Sequence, residues 1–157
     1  MNALMKSFLL SISLLICSVA LWAQAPLLQL DGKRYYRVTI AARGAELTGI
    51  CIIKTDTTGS RGVVVNEFGI HALDFTLSPD RRKVKLLNLV SAMNRWYIKR
   101  VVRADLKFLF GATQNPQRKG RRTVTVDVDR TVTLVNSKYG LKYSFLEIDN
   151  QDDETTE

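Results

Sequence analysis

The spacing of apolar residues changes once along this chain, and that change limits the fold more than any other feature. Between residues 35 and 90, apolar side chains recur at every second position in short runs cut by turn residues. That is the pattern of half-buried β-strands. In 35–42, Tyr36, Val38 and Ile40 share a face and Arg37 and Thr39 lie opposite. Residues 47–54 are apolar on both faces, which predicts a strand buried on both sides. Residues 55–62 read as a polar loop, 63–65 as a short strand and 66–69 as a tight turn. In 71–77, strict alternation places His71, Leu73, Phe75 and Leu77 on one face, with Asp74 on the other. A charged hairpin loop at 78–83 leads to a strand at 84–90, with Leu87 and Leu89 opposite Leu86 and Asn88.

From 91 to 110 there is neither glycine nor proline. Met93, Trp96, Tyr97, Val101, Leu106 and Phe110 recur at steps of a helix, while Asn94, Lys99, Arg100, Arg103 and Lys107 fill its other sides. The regular part begins near Arg95, and Gly111 stops it. A basic loop at 114–122 precedes further strands at 123–128, 131–135 and 141–148. Eight or nine strands with one helix define a mainly β (α+β) fold. The expected architecture is a curved antiparallel sheet or incomplete barrel, with one amphipathic helix packed at its mouth. Such a shape encloses an apolar cavity.

The two ends read differently from the middle. Residues 1–23 have the form of a secretory leader: Lys6, an apolar run from Phe8, then small residues up to Ala23. Ile16 before Cys17 is too bulky for lipoprotein processing. Cleavage before Gln24 leaves a single β-rich domain at 24–148 and an acidic tail at 149–157, read as disordered. The implied location is the periplasm or the medium. Cys51 is then the one remaining thiol, set in an apolar run as a small core residue. Residues 24–146 carry 22 basic and 9 acidic side chains, a net +13. Export argues against nucleic acid as the partner of that charge, and no nucleic-acid-binding signature is present. The polyanions outside the cytoplasm are lipid headgroups, lipopolysaccharide and acidic glycans.

Catalytic patterns are absent from this reading. His71 is the only histidine, and no G-x-S-x-G elbow or glycine-rich phosphate loop occurs. Asp127 and Asp129 point one way along a strand, with Arg121, Arg122 and Arg130 nearby for cross-strand ion pairs. No enzyme, metal or cofactor is expected. The run Trp96-Tyr97-Ile98-Lys99-Arg100 carries more information. Its aromatic rings suit a border between apolar and wet surroundings, and its cations suit an anionic headgroup.

The segments 62–75, 83–89 and 96–109 together resemble the middle of the Lol-type lipoprotein carrier and receptor superfamily. They share a strand turning at a glycine, a strand with an aspartate and a following helix near the barrel mouth. The resemblance implies an incomplete antiparallel barrel whose helices cover a cavity for acyl chains. This chain is shorter than typical members and lacks a lipobox. From the resemblance and the strand faces, Val38, Ile40, Ile52, Phe75, Leu77, Leu87, Leu89, Trp96 and Tyr97 are expected to line an acyl pocket. Lys99, Arg100 and Arg103 are expected to meet the headgroup or a partner. Each buried CH₂ gives about 0.8 kcal/mol, so a myristoyl-length chain would supply roughly 10 kcal/mol before binding costs. The expected function is an exported binding protein for a lipid or lipoprotein acyl chain, in contact with the membrane surface. The alternative is a packed adaptor whose basic clusters, Arg81 to Lys83 and Arg118 to Arg122, dock on an acidic envelope protein.

Overall fold

The computed structural model of the protein describes residues 25–149. The expected leader, and the acidic tail beyond Asp149, lie outside the described residues. Nine strands form one antiparallel sheet in the order β5-β4-β3-β2-β1-β9-β8-β7-β6. They are β1 (Lys33–Ala42), β2 (Ala45–Asp56), β3 (Gly59–Asn66), β4 (His71–Leu77), β5 (Val84–Leu89), β6 (Gln117–Lys119), β7 (Arg122–Val126), β8 (Val132–Asn136) and β9 (Leu141–Glu147). A short 3-10 turn (Ser91–Met93) and helix α1 (Trp96–Phe110) connect β5 to β6. The sheet is not closed into a barrel, since β5 and β6 remain its two edges.

Two hairpin ladders, β1 to β5 and β6 to β9, meet where β1 pairs with β9. Arg34 clasps that seam with an ion pair to Glu147 at 2.8 Å. The second and third strands are longer than their sequence suggests. The polar stretch expected as a loop at 55–62 continues the ladder, leaving only Thr57 and Thr58 at the turn. Threonine suits a pleated strand, and Thr55 meets Ser60 across the ladder, hydroxyl to hydroxyl, at 2.7 Å. β6 escapes sequence reading because Gln117, Arg118 and Lys119 have no apolar member. β7 ends at Val126, so Asp127 and Asp129 sit in the following turn and not side by side along a strand.

Alternation then decides which side chains form the core. Tyr36, Val38, Ile40, Cys51, Ile53 and Val64 point to one face of the sheet and are buried. Leu134, Tyr143 and Phe145 continue that inner face on the other ladder. Helix α1 lies against it and buries Val102, Leu106, Leu109 and Phe110, a stripe at i, i+4, i+7 and i+8. Ring contacts fill the space between helix and sheet: Phe75 to Phe110 at 5.3 Å, Phe110 to Phe145 at 5.9 Å and Phe145 to Tyr36 at 6.1 Å. Gly62 opposes Phe75 in the β3–β4 register, and a Cβ there would collide with the Phe75 ring. The absent side chain is therefore what gives the ring its place.

One carboxylate is part of this interior. Asp105 is fully buried on α1. It accepts hydrogen bonds from Arg122 at 2.5 Å, from Asn136 at 2.8 and 3.1 Å, and from Tyr143 at 3.1 Å. A buried charge is tolerated only when it is paired and fully bonded, and four bonds from three strands meet that condition. Burial, with Asp105 alongside, pushes the Tyr143 hydroxyl far above its ordinary ionisation range. Desolvation does the same to the Cys51 thiol, which marks it as a packing residue.

Candidate functional site

The residues expected to line one acyl pocket are divided among three places. Val38, Ile40, Phe75 and Leu77 belong to the inner face and are packed under α1. Leu89 is half-buried against the same core. Ile52 points to the opposite, outer face, between the buried Cys51 and Ile53. Leu87, expected to face inward, is exposed because a bulge interrupts the β4–β5 register: Asp74 pairs with Asn88 while Phe75 pairs with Leu86. The extra residue takes Leu87 out of the alternation.

Trp96 and Tyr97 are the clearest departure from a core role. They are 75% and 50% exposed, although they begin the α-helix that packs on the sheet. The rings meet edge to face at 6.0 Å. Around them stand Arg95, Arg100 and Arg103, all exposed, and Lys99, half-buried. The helix start has no side-chain cap and no acidic residue in its first turn. Its free N–H groups therefore add a partial positive charge to the local arginines.

Topology brings a second apolar projection to the same end of the sheet. The β3–β4 turn displays Phe68 at 80% and Ile70 at 54% exposure. The turn is held by Asn66, whose side-chain oxygen accepts the Phe68 and Ile70 N–H groups at 3.0 and 2.8 Å. Gly69 supplies the positive φ of 75° that the turn needs. Ala72, two residues past Ile70, accepts the Val90 N–H at 2.9 Å, just where the chain leaves β5 for the helix. The β3–β4 turn, with Phe68 and Ile70, and the chain leading to Trp96, Tyr97 and the cations of α1 thus leave the sheet at the same end. Sequence reading found the turn but missed Phe68 and Ile70 as a display. The available signal was two bulky apolar residues flanking a turn glycine.

Both expected basic clusters prove to be partly internal. The Arg81 guanidinium donates to the Leu28 carbonyl at 2.9 Å and the Phe110 carbonyl at 3.3 Å, tying the first described segment to the end of α1. Desolvation lowers its affinity for a proton, yet it stays a cation. Arg122 is committed to Asp105. Arg82, Lys83, Arg118, Lys119 and Arg121 remain toward solvent.

The outer face of the sheet is open. Residues 47–54 were expected to be covered on both sides, but Ile50 is 44% exposed and Ile52 half-buried. Two adjoining hollows of about 620 and 710 Å³ cross this face and share Ile52 and Val65. At one wall, His71 and Asp74 lie on the same side, contrary to simple alternation. A bulge opposite Val64 and Val65 adds one residue to β4 and brings His71 Nδ1 to 3.5 Å from Asp74 Oδ1. Asn88 donates to the other Asp74 oxygen at 2.9 Å. Among the described residues, no group of three or more His, Cys, Asp or Glu side chains is placed to hold a metal ion, and no helix is long and apolar enough to cross a membrane. Compared with known proteins, the chain matches no family model and no curated protein.

Proposed function

We propose that this chain is a non-enzymatic protein of the bacterial cell envelope that binds an anionic, acyl-bearing surface through the rim built from α1 and the β3–β4 turn. The observation that carries this reading is the exposure of Trp96 and Tyr97 beside Arg95, Arg100 and Arg103. Trp96, Tyr97, Phe68 and Ile70 enter the boundary between headgroups and acyl chains, where amphipathic rings are favoured. The arginines and the uncapped helix start hold the phosphates. Each cation near an anionic leaflet contributes about 1 kcal/mol, so neither the charges nor the rings suffice alone. The binding is reversible and salt-sensitive. A Lol-like capture of an acyl chain between sheet and helix would require α1, with its Phe110, to lift off the rings of Phe75 and Phe145, which now fill that space.

Trp96 provides the test, because it is the only tryptophan in a chain that starts at Gln24. Its fluorescence should shift to the blue on adding vesicles containing phosphatidylglycerol, and hardly at all with phosphatidylcholine alone. Replacing Tyr97 and Phe68 by Ala should weaken flotation with anionic vesicles by about a hundredfold or more, given about 1.5–3 kcal/mol for each fully buried large side chain. Arg100→Glu with Arg103→Glu should abolish it. An unchanged emission spectrum with anionic vesicles would overturn the proposal. A lipid that instead co-purifies in fixed ratio, undisturbed by these variants, would point to the interior.

A further inference from the structure

The outer face also carries an ordered row of charge. Lys33 pairs with Lys54, Lys54 with Arg61, Arg61 with Thr76 and Thr76 with Lys85 across successive strands. Beside that row runs an apolar one: Tyr35, Ile52 and Val63 in register, with Val65 and Ile50 next to them. Like charges directly opposite each other are unfavourable in a sheet, and Lys54, Arg61 and Lys85 have no ion-pair partner among the described residues. Asp56 lines the first hollow beside Lys54 and Glu67 lines the second, but neither forms an ion pair with the row.

The chain leaves the described structure at this place. Ile148 donates its N–H to Tyr35 at 2.9 Å and lines the hollow with Tyr35, Arg37, Ile50 and Ile52. β9 runs antiparallel to β1, so the backbone at Ile148 is heading toward the level of Lys33. Residues 150–157 then carry four acids, Asp152, Asp153, Glu154 and Glu157, and no base. Eight residues reach about 26 Å when extended. Three strand spacings, from β9 across β1 and β2 to β3, need only about 14 Å. Charge, direction and reach therefore agree.

We infer that the outer groove is a docking surface for an acidic extended segment, and that its occupant is this chain's own run 150–157. The acids of that run neutralise Lys54 and Arg61, and its backbone covers part of the Ile50, Ile52, Val63 and Val65 stripe. This surface adjoins the proposed rim at the β3–β4 turn, whose Asn66, Glu67 and Gly69 line the second hollow, but its argument does not rest on lipid binding.

Cys51 makes the test clean, because its thiol is fully buried. In the chain from Gln24, Thr156→Cys gives one reactive site for a nitroxide label. The label should broaden the amide resonances of residues 52–54 and 61–63 at low salt. Salt at about 0.5 M, where charges are screened within a few ångströms, should remove most of that broadening. Lys54→Glu with Arg61→Glu, both exposed, should remove it at low salt. Neutralising the run by Asp152→Asn, Asp153→Asn, Glu154→Gln and Glu157→Gln should shift the same outer-face amides. Broadening spread evenly over the surface, or centred on Arg82 and Lys83 or on Arg118 to Arg121, would overturn the inference. So would broadening of residues 52–54 and 61–63 that the charge reversals leave unchanged.

Discussion

The two faces of this sheet use similar side chains to different ends. Inward from β1 to β3 stand Tyr36, Val38, Cys51, Ile53 and Val64, all covered. Outward from the same strands stand Tyr35, Ile50, Ile52, Val63 and Val65, none fully covered. Hydrophobicity does not separate the two sets. What separates them is the helix: α1 has one apolar stripe, and among the described residues no second α-helix covers the other side. An apolar residue on a strand is thus a claim on a partner, and only the inner claim is met within residues 25–149.

Substitutions can break this comparison or sharpen it. Phe110→Ala empties the centre of the ring cluster and should cost about 4 kcal/mol, in the range for large-to-small changes at buried aromatics. Urea denaturation of the chain from Gln24 would measure it. Gly62→Ala should cost about 1–3 kcal/mol by overpacking against Phe75. The double variant Gly62→Ala, Phe75→Leu should be less destabilised than the sum of the two single changes, because Leu vacates the space the new Cβ needs.

High pH tests the same side more gently. Burial raises the Tyr36 and Tyr143 hydroxyl ionisation above the ordinary value of 10.0. A raised folded-state pKa stabilises below the unfolded pKa and is lost as pH rises. Above about pH 10 the unfolded chain releases these protons and the folded chain keeps them. Each tyrosine should then remove at most about 1.4 kcal/mol of stability per pH unit. Tyr143→Phe should flatten part of that decline. On the outer face, Ile50→Thr should change stability by less than about 0.5 kcal/mol. An effect as large as that of Phe110→Ala would mean that the outer stripe is covered as firmly as the inner one.

Much of the fold was legible in the sequence because it rests on period. The alternation of Tyr36, Val38 and Ile40, and the spacing of Leu106 and Phe110, each follow from a repeat that burial enforces. Bulges were not legible, since one inserted residue leaves no mark in composition. His71 and Leu87 were therefore assigned to the wrong faces, and Asp74 seemed remote from His71. Long-range ties were hidden for a related reason. Nothing near Asp105 in sequence announces Arg122, Asn136 and Tyr143, and nothing beside Arg81 announces Leu28 and Phe110. At the candidate site, Trp96, Tyr97, Arg100 and Arg103 were identified by residue type. Their exposure was not, because a ring at the start of an amphipathic helix has the same spacing whether it packs or projects.

The β1–β9 seam has a consequence for when this molecule becomes itself. Arg34 and Glu147 are 113 residues apart in the chain yet hold hands at the middle of the sheet. The first strand made waits for the last strand made. Until then the β1 to β5 ladder ends in an unpaired β1 edge, and the rings of Phe145 and Tyr143 are missing from the core. Contacts of such separation are slow to form and add little until both ends are present. Among the described residues, the sheet is completed only when β9, its last strand in sequence, pairs with β1.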